Sequence, residues 1–273
     1  MAMQINEYLQ IAADKLAHSP TPRLDAEVLL AHVFRVSRAD LYAHADEVIA
    51  SNTRFEELIT RRQQNEPIAY IIQQKEFWSL PLLVTPEVLI PRPETELLVE
   101  LALRKLDTNK KCKVLDLGTG SGAIALALAD ERPNWEIHAT DCSDKALQIA
   151  RQNALKLGLN VTFHCGDWFE PVALHQFNAI ISNPPYIAID DPHLAQLQFE
   201  PASALIAGID GLDSLRLIIA KAKEYLTPHG WLLVEHGYDQ SIAVAQLMRQ
   251  HNLREITRHQ DLGRQDRVVS GVK

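Results

Sequence analysis

The stretch KVLDLGTGSGAIALALAD, residues 113–130, joins a short apolar run to an alanine-rich segment through a loop with glycine at 118, 120 and 122. Lys113 to Leu117 has the length and character of a buried strand, and the residues from Ala123 read as a helix. The glycines let the backbone turn tightly between the two and leave no Cβ between a ligand and the helix amino terminus. Downstream, short apolar runs keep alternating with amphipathic segments. EIHATD (136–141), NVTFHCGD (160–167), NAIISNPP (178–185), GWLLVEHG (230–237), REITRH (254–259) and DRVVSGV (266–272) read as strands. SDKALQIARQNALKLG (143–158), SLRLIIAKAKEYL (214–226) and QSIAVAQLMRQH (240–251) read as helices between them. This alternation predicts an α/β fold, a mostly parallel, doubly wound sheet with helices on both faces. Ligands of such sheets bind at the carboxyl ends of the strands, near the point where strand order reverses.

Upstream the period changes. Ile5, Leu9, Ala12 and Leu16 recur at helical spacing, as do Leu24, Val28 and Ala31, and Thr53 with Glu56 makes a capping box ahead of Phe55, Leu58 and Ile59. Residues 1–75 therefore read as a small helical bundle. In EFWSLPLLVTPEVLIPRPETE (76–96), Pro81, Pro86, Pro91 and Pro93 forbid a long helix. Residues 76–93 read as a connector with a short hairpin, in which Phe77 and Trp78 are expected to pack against something. Residues 94–273 form the predicted α/β domain.

The 273 residues are 47% hydrophobic, which suffices for a sizeable core. With 27 basic and 35 acidic residues the net charge is −8, which weighs against nucleic acid as the main partner. Cys112, Cys142 and Cys165 are far apart and lack CxxC spacing, so they read as reduced, partly buried thiols of a cytoplasmic protein. The 11 histidines are scattered and no metal site is predicted. MAMQINEYLQIAADKLA mixes polar and apolar residues unlike a secretory signal, and no apolar run has the length of a membrane span.

The predicted strand ends carry the chemistry. Gly118 to Gly122 form the first loop, although Gly118, Gly120 and Ala123 also satisfy the GxGxxA form of a dinucleotide site. Asp141 ends the second strand, placed for the hydroxyls of a ribose; this spacing does not separate NAD from another nucleoside cofactor. Asp167 and Trp168 follow the third strand and suit the amine and face of an adenine. Asn183-Pro184-Pro185-Tyr186 ends the fourth. The prolines stop any ladder, the Asn183 side-chain carbonyl and the Pro184 backbone carbonyl can accept both hydrogens of a planar NH2 group, and Tyr186 can stack on the plane. That arrangement suits methylation of a conjugated nitrogen, with S-adenosylmethionine as methyl donor and S-adenosylhomocysteine as product. Asn183, Pro184 and Tyr186 are thus the candidate catalytic residues. Gly118, Thr119, Gly120, Ser121, Gly122, Asp141, Asp167 and Trp168 are the candidate cofactor contacts.

Beyond these residues the chain resembles the release-factor glutamine methyltransferases, the PrmC or HemK family. The likeness lies in EFWSLPL (from Glu76), IPRPETE (from Ile90), VLDLGTGSGAIALALA (from Val114), GDWFE (from Gly166), ISNPPYI (from Ile181), EPASAL (from Glu200), DGLD (from Asp210), EHGYDQ (from Glu235) and DLGRQDRVV (from Asp261). NPPY alone is shared with adenine methyltransferases, but its combination with IPRPETE and EPASAL is more specific. The resemblance implies a Rossmann-like, seven-stranded methyltransferase domain. It also implies methyl transfer to the side-chain amide nitrogen of the glutamine in the GGQ tripeptide of class 1 peptide chain release factors. It adds Asn183 to the cofactor contacts, places that glutamine on Asn183, Pro184, Pro185 and Tyr186, with Phe77, Arg92, Glu94 to Glu96 and Glu200 nearby, and gives the helical half a docking role. The expected protein is a cytoplasmic monomer without membrane contact. Its rivals are an adenine N6-type nucleic-acid methyltransferase and a non-catalytic cofactor-binding interaction protein; a dinucleotide-dependent oxidoreductase ranks third.

Overall fold

In the computed structural model, which describes residues 2–107, 110–173 and 175–273, a short strand β1 (Ala2–Gln4) runs into α1 (Ile5–Lys15). Ile5, Leu9, Ala12 and Leu16 are all buried on the predicted face, with Tyr8 among them. α2 (Pro22–Phe34), α3 (Arg38–Ala43), β2 (Val48–Ala50), α4 (Thr53–Gln63) and α5 (Ile68–Ile72) complete a first unit, Met1–Gln74. The pairing of β1 with β2 adds a small antiparallel ladder to the helices.

Two local expectations change here. In α2, Leu24 is 39% exposed while Asp25 and Glu27 are buried, because both carboxylates find partners inside. Asp25 takes Arg62 Nε at 2.7 Å and the hydroxyls of Ser19 and Thr21, and Glu27 takes Arg23, Arg38 and Tyr42. In α4 the cap is Asn52 and not Thr53: Asn52 Oδ1 accepts from Phe55 N at 3.1 Å, and Glu56 turns instead to Lys15 at 2.7 Å.

The second unit, Lys75–Lys273, includes the proline-rich stretch, so 76–93 is part of this unit and not a separate connector. β3 (Gln74–Phe77) and β4 (Leu80–Leu83) form a hairpin whose two turn residues, Trp78 and Ser79, have φ of 51° and 61°. Such a mirror-type turn matches the twist of the strands. Phe77 and Leu82 sink into the core, which is why the hairpin cannot hang free. After it come α6 (Glu96–Lys105), β5 (Lys113–Leu117), α7 (Ala123–Glu131), β6 (Glu136–Asp141), α8 (Asp144–Leu157), β7 (Thr162–Cys165) and β8 (Phe177–Ser182). α9 (Asp213–Tyr225), β9 (Leu226–Glu235), α10 (Ser241–Gln250), β10 (Arg254–Gln260) and β11 (Asp266–Val272) follow. From α8, the fully buried Asn153 bonds both backbone groups of Leu83 and so ties the hairpin down.

The strands form one seven-stranded sheet in the order β10-β11-β9-β8-β5-β6-β7, and only β11 runs against the rest. Strand residues alternate between two cores. Val114, Ala179, Ile181 and Leu233 pack on one side with α6 and α7, whose Ala123 to Ala129 are all buried. Leu115, Leu117, Ile180 and Val234 pack on the other with α9 and α10. Order reverses between β5 and β8, the switch point where a ligand is expected.

Three of the scattered histidines meet in this unit. His138 Nδ1 lies 2.9 Å from His164 Nε2 with the rings stacked, His138 Nε2 lies 2.7 Å from Glu136, and Lys113 Nζ reaches His175 Nδ1 at 2.7 Å. Among the described residues no such group is placed to hold a metal ion. Cys112 is buried, whereas Cys142 and Cys165 are exposed, and all three are free thiols. No helix among the described residues is long and apolar enough to cross a membrane.

Removing Arg62 leaves Asp25 buried against two hydroxyls without its cation. Arg62→Met is expected to destabilise the protein by about 3–5 kcal/mol in denaturant unfolding, with much of the loss recovered when Asp25→Asn is added. Burial also holds His138 and His164 below the usual histidine range. Their contribution is complete above the unfolded value of about 6.5 and is lost as pH falls through the lower folded values. His138→Phe should accordingly show a smaller loss of stability between pH 7.5 and 5.5 than the natural protein, measured by unfolding midpoints at each pH.

Candidate active site

Register brings the predicted site residues together. Leu117 pairs with Thr140 on β6 and with Ser182 on β8, so Gly118, Asp141 and Asn183 follow side by side at three neighbouring strand ends. Asp141 is level with Cys165 of β7, which places Asp167 and Trp168 at the fourth. The glycine loop is tied to β6: Gly118 N and Thr119 N both donate to Thr140 O, and Gly120 N donates to Asp141 Oδ2 at 2.9 Å. Asp141 Oδ1 accepts from Ser143 N, and Ser143 caps α8 through Ala146 N. Burial raises the Asp141 carboxyl, while its two amide donors oppose the rise.

Two adjacent cavities open over these strand ends. The first, of about 200 Å³, is lined by Gly118, Gly120, Asp141, Asp167, Trp168 and Asn183, with Thr140, Ser143 and Pro185. Gly120 has φ +55° with nothing within 4 Å of where a Cβ would stand, and the missing Cβ of Gly118 faces Trp168 Cζ3 at 3.6 Å. A free loop, two carboxylates and an aromatic ring fit a nucleoside carrying a diol and an amine, as in S-adenosylmethionine. The second cavity, of about 160 Å³, is lined by Arg92, Asn183, Pro184, Tyr186, Ile187 and Leu205. Asn183, Leu89 and Ala204 line both.

Asn183 Nδ2 donates to Thr95 Oγ1 at 3.0 Å, which leaves Oδ1 as the outward acceptor. Among the described residues neither Asn183 Oδ1 nor the Pro184 carbonyl accepts a hydrogen bond. Tyr186 is half-buried, and its hydroxyl donates to Glu235 Oε1 at 3.1 Å. The loop is held from behind by Gln240 Nε2, which donates to Tyr186 O at 3.0 Å. Glu200 is buried and grips the proline-rich segment twice, accepting from Ile90 N at 3.1 Å and pairing with Arg92.

The remaining predicted contacts lie elsewhere. Phe77 is 1% exposed in the core and lines neither cavity. Thr119 turns inward to Asp116, whose fully buried carboxyl is pushed up to about 7 by desolvation. Ser121 gives its carbonyl to Asn153, and Gly122 packs against Leu126 and Ala150. These three shape the loop from beneath. Thr95 and Glu235 stand beside Asn183 and Tyr186; residue reading alone gave them no role, and the signals were the family likeness, which put Glu94 to Glu96 near the pocket, and the place of Glu235 in EHGYDQ.

Residues 94–206 match the methyltransferase small domain family and residues 7–72 match the PrmC N-terminal domain. The chain is 51% identical over 254 residues to a release factor glutamine methyltransferase from Coxiella burnetii, covering 92% of each chain. It is 45% identical to one from Vibrio cholerae, covering 99% of this chain and 97% of the other. A methyltransferase from Pyrococcus furiosus, 17% identical, shares the fold with a TM-score of 0.56 over 78% of this chain and 96% of its own. With identity at this level over nearly the whole length, the chain belongs to the release factor glutamine methyltransferase family.

Proposed function

We propose that the protein transfers the methyl group of S-adenosylmethionine to the side-chain amide nitrogen (N5) of the glutamine in the GGQ tripeptide of class 1 peptide chain release factors. The observation that carries this reading is that Asn183 lines both cavities with its carbonyl unoccupied, next to the unoccupied carbonyl of Pro184. Gly118, Gly120, Asp141, Asp167 and Trp168 hold the cofactor, and bound S-adenosylmethionine supplies an activated methyl group on a sulfonium.

The second cavity takes the glutamine. Asn183 Oδ1 and Pro184 O accept the two amide hydrogens, which fixes the amide plane and turns the nitrogen toward the first cavity. Tyr186 flanks that plane, and its tether to Glu235 keeps the ring from swinging into the site. Arg92, pinned by Glu200, is the cation nearest the entering peptide. The chain's own residues therefore act by orienting the nitrogen and excluding water, and the site needs no strong general base. In this reading the first unit docks the release factor, and the enzyme works as a cytoplasmic monomer with no nucleic acid as main substrate.

Labelled S-adenosylmethionine, incubated with a release factor, with the same factor lacking its GGQ glutamine, and with DNA or RNA, tests the reading. Label should enter the intact release factor alone; entry into nucleic acid but not into the factor overturns it in favour of an adenine-type methyltransferase. Asn183→Ala is expected to lower turnover about a hundredfold or more, the scale of losing one fixed polar contact in a transition state, while affinity for S-adenosylhomocysteine changes only a few-fold. Turnover within a few-fold of the natural protein would show that Asn183 does not orient the nitrogen.

A further inference from the structure

Two buried side chains stand next to the site: Thr95, which the mechanism leaves unused, and Glu235, which it uses only as the tether of Tyr186. Thr95, 4% exposed, accepts the Asn183 amide hydrogen on Oγ1. Glu235, 1% exposed at the end of β9, accepts the Tyr186 hydroxyl on Oε1. Thr95 also faces the Glu235 carboxyl closely enough to lower its pKa by hydrogen bonding, although Oε2 has no partner of full hydrogen-bond geometry. Thr95 is itself fixed by its backbone, since it ends the turn Pro93–Thr95 with its N–H on Arg92 O at 3.1 Å, directly before α6.

We propose that Thr95 and Glu235 are positioning residues for methyl transfer: they orient the Asn183 amide so that its oxygen, and not its nitrogen, faces the substrate NH2 group. The proposal rests on the reading that an amide NH2 is the methyl acceptor.

A half-turn of the Asn183 amide exchanges Oδ1 and Nδ2, which have nearly the same shape. With Nδ2 outward, donor would face donor and the substrate nitrogen would lose its alignment. A threonine hydroxyl does not choose between the two states by itself, because it can accept from Nδ2 or donate to Oδ1. A carboxylate can only accept. Glu235 therefore draws the single hydrogen of Thr95 toward itself and leaves Thr95 with lone pairs for Nδ2. Donation thus runs one way, from Asn183 Nδ2 to Thr95 Oγ1, with the Thr95 hydrogen left to turn toward the unpartnered Glu235 Oε2, and the Tyr186 hydroxyl ends on Oε1 of the same carboxylate. One buried anion thus references both the acceptor and the ring that flank the substrate amide.

This direction fails when Glu235 carries a proton, since the acid could then donate to Thr95. Burial pushes its carboxyl up to about 7. The charged and titratable groups around it are Glu94 from the turn, which raises it, Arg267 from β11 and Tyr186 from the loop, which lower it, and Arg92, which acts on Tyr186. Arg267 is also drawn toward Asp261 at 3.3 Å.

The test measures kcat and KM of the full chain with a release factor, kcat/KM against pH, and S-adenosylhomocysteine affinity by calorimetry. Thr95→Val is expected to lower kcat at least fivefold with KM moving less, and Thr95→Ser, which keeps the hydroxyl, to restore kcat to within fivefold of the natural protein. Glu235→Gln, which keeps the shape but can donate, should lower kcat at least fivefold and remove the rise of kcat/KM through about pH 7 that the natural protein shows. Product affinity should hold within fivefold throughout. The inference is overturned if Thr95→Val or Glu235→Gln keeps kcat within fivefold, if Thr95→Ser is no better than Thr95→Val, or if Glu235→Gln retains the rise. Should Thr95→Val fail to bind S-adenosylhomocysteine, Thr95→Ser and Glu235→Gln decide by the same thresholds. A natural protein that leaves the release factor unmethylated overturns the functional reading instead, and is seen before any variant is made.

Discussion

The hydrogen bond from Ser182 Oγ to the Leu117 carbonyl, 2.7 Å long and fully buried, sets the level of β8 against β5 at the point where strand order reverses. Gly118 and Asn183 are the next residues of those two strands. A slip of one residue would turn every side chain of β8 to the opposite face and exchange the two cores. It would also carry Asn183 away from the glycine loop. The placement of the site is therefore a consequence of strand register, which the two cores enforce through Leu115, Ile180, Val114 and Ile181.

Beyond the strand ends the backbone is irregular, and its polar groups need partners outside any ladder. They find them in three places. The glycine loop leans on Thr140 and Asp141. The loop after Asn183 is held by Gln240 and by the Ile187–Ile206 bridge. Gly211 makes the Gln240 contact possible, because a Cβ there would stand 2.2 Å from Tyr186 O and 2.7 Å from Gln240 Nε2. The proline-rich segment is gripped by Glu200. Each loop is thus fixed by a residue distant in sequence, which suits a reaction that depends on orientation.

That same distance decides what could be read in the sequence. The alternation of strands and helices, the glycine loop, and Asn183 with Pro184 are local patterns, and each stands at the strand end where reading placed it. Thr95 lies 88 residues from Asn183, and their contact leaves no periodic trace. The face of α2 misled because spacing rules treat carboxylates as outward-facing, whereas Arg62 and Arg38 draw Asp25 and Glu27 inside. Phe77 was carried toward the pocket by family likeness, yet its ring is part of the core that holds the hairpin. The three histidines are dispersed along the chain, on β6, on β7 and just ahead of β8, and they meet because β8, β5, β6 and β7 are consecutive in the sheet.

Charge settles the ambiguity that the glycine loop left open. A dinucleotide brings a pyrophosphate with two negative charges to that loop; one acidic residue at the second strand end serves its ribose, but each further anion lining the same space opposes the phosphates. Among the described residues the first cavity is lined by Glu87, Asp141 and Asp167 and by no lysine or arginine, with Asp116 buried beneath. Glu87 has Lys145 at 2.8 Å, but among the described residues Asp141 and Asp167 form no ion pair. Backbone donors of the loop could still receive a phosphate, yet two unpaired carboxylates alongside would oppose it. A ligand that carries a net positive centre meets the opposite situation, since the same carboxylates attract it. The cavity that glycine spacing alone could not assign therefore favours a sulfonium-bearing nucleoside over a dinucleotide.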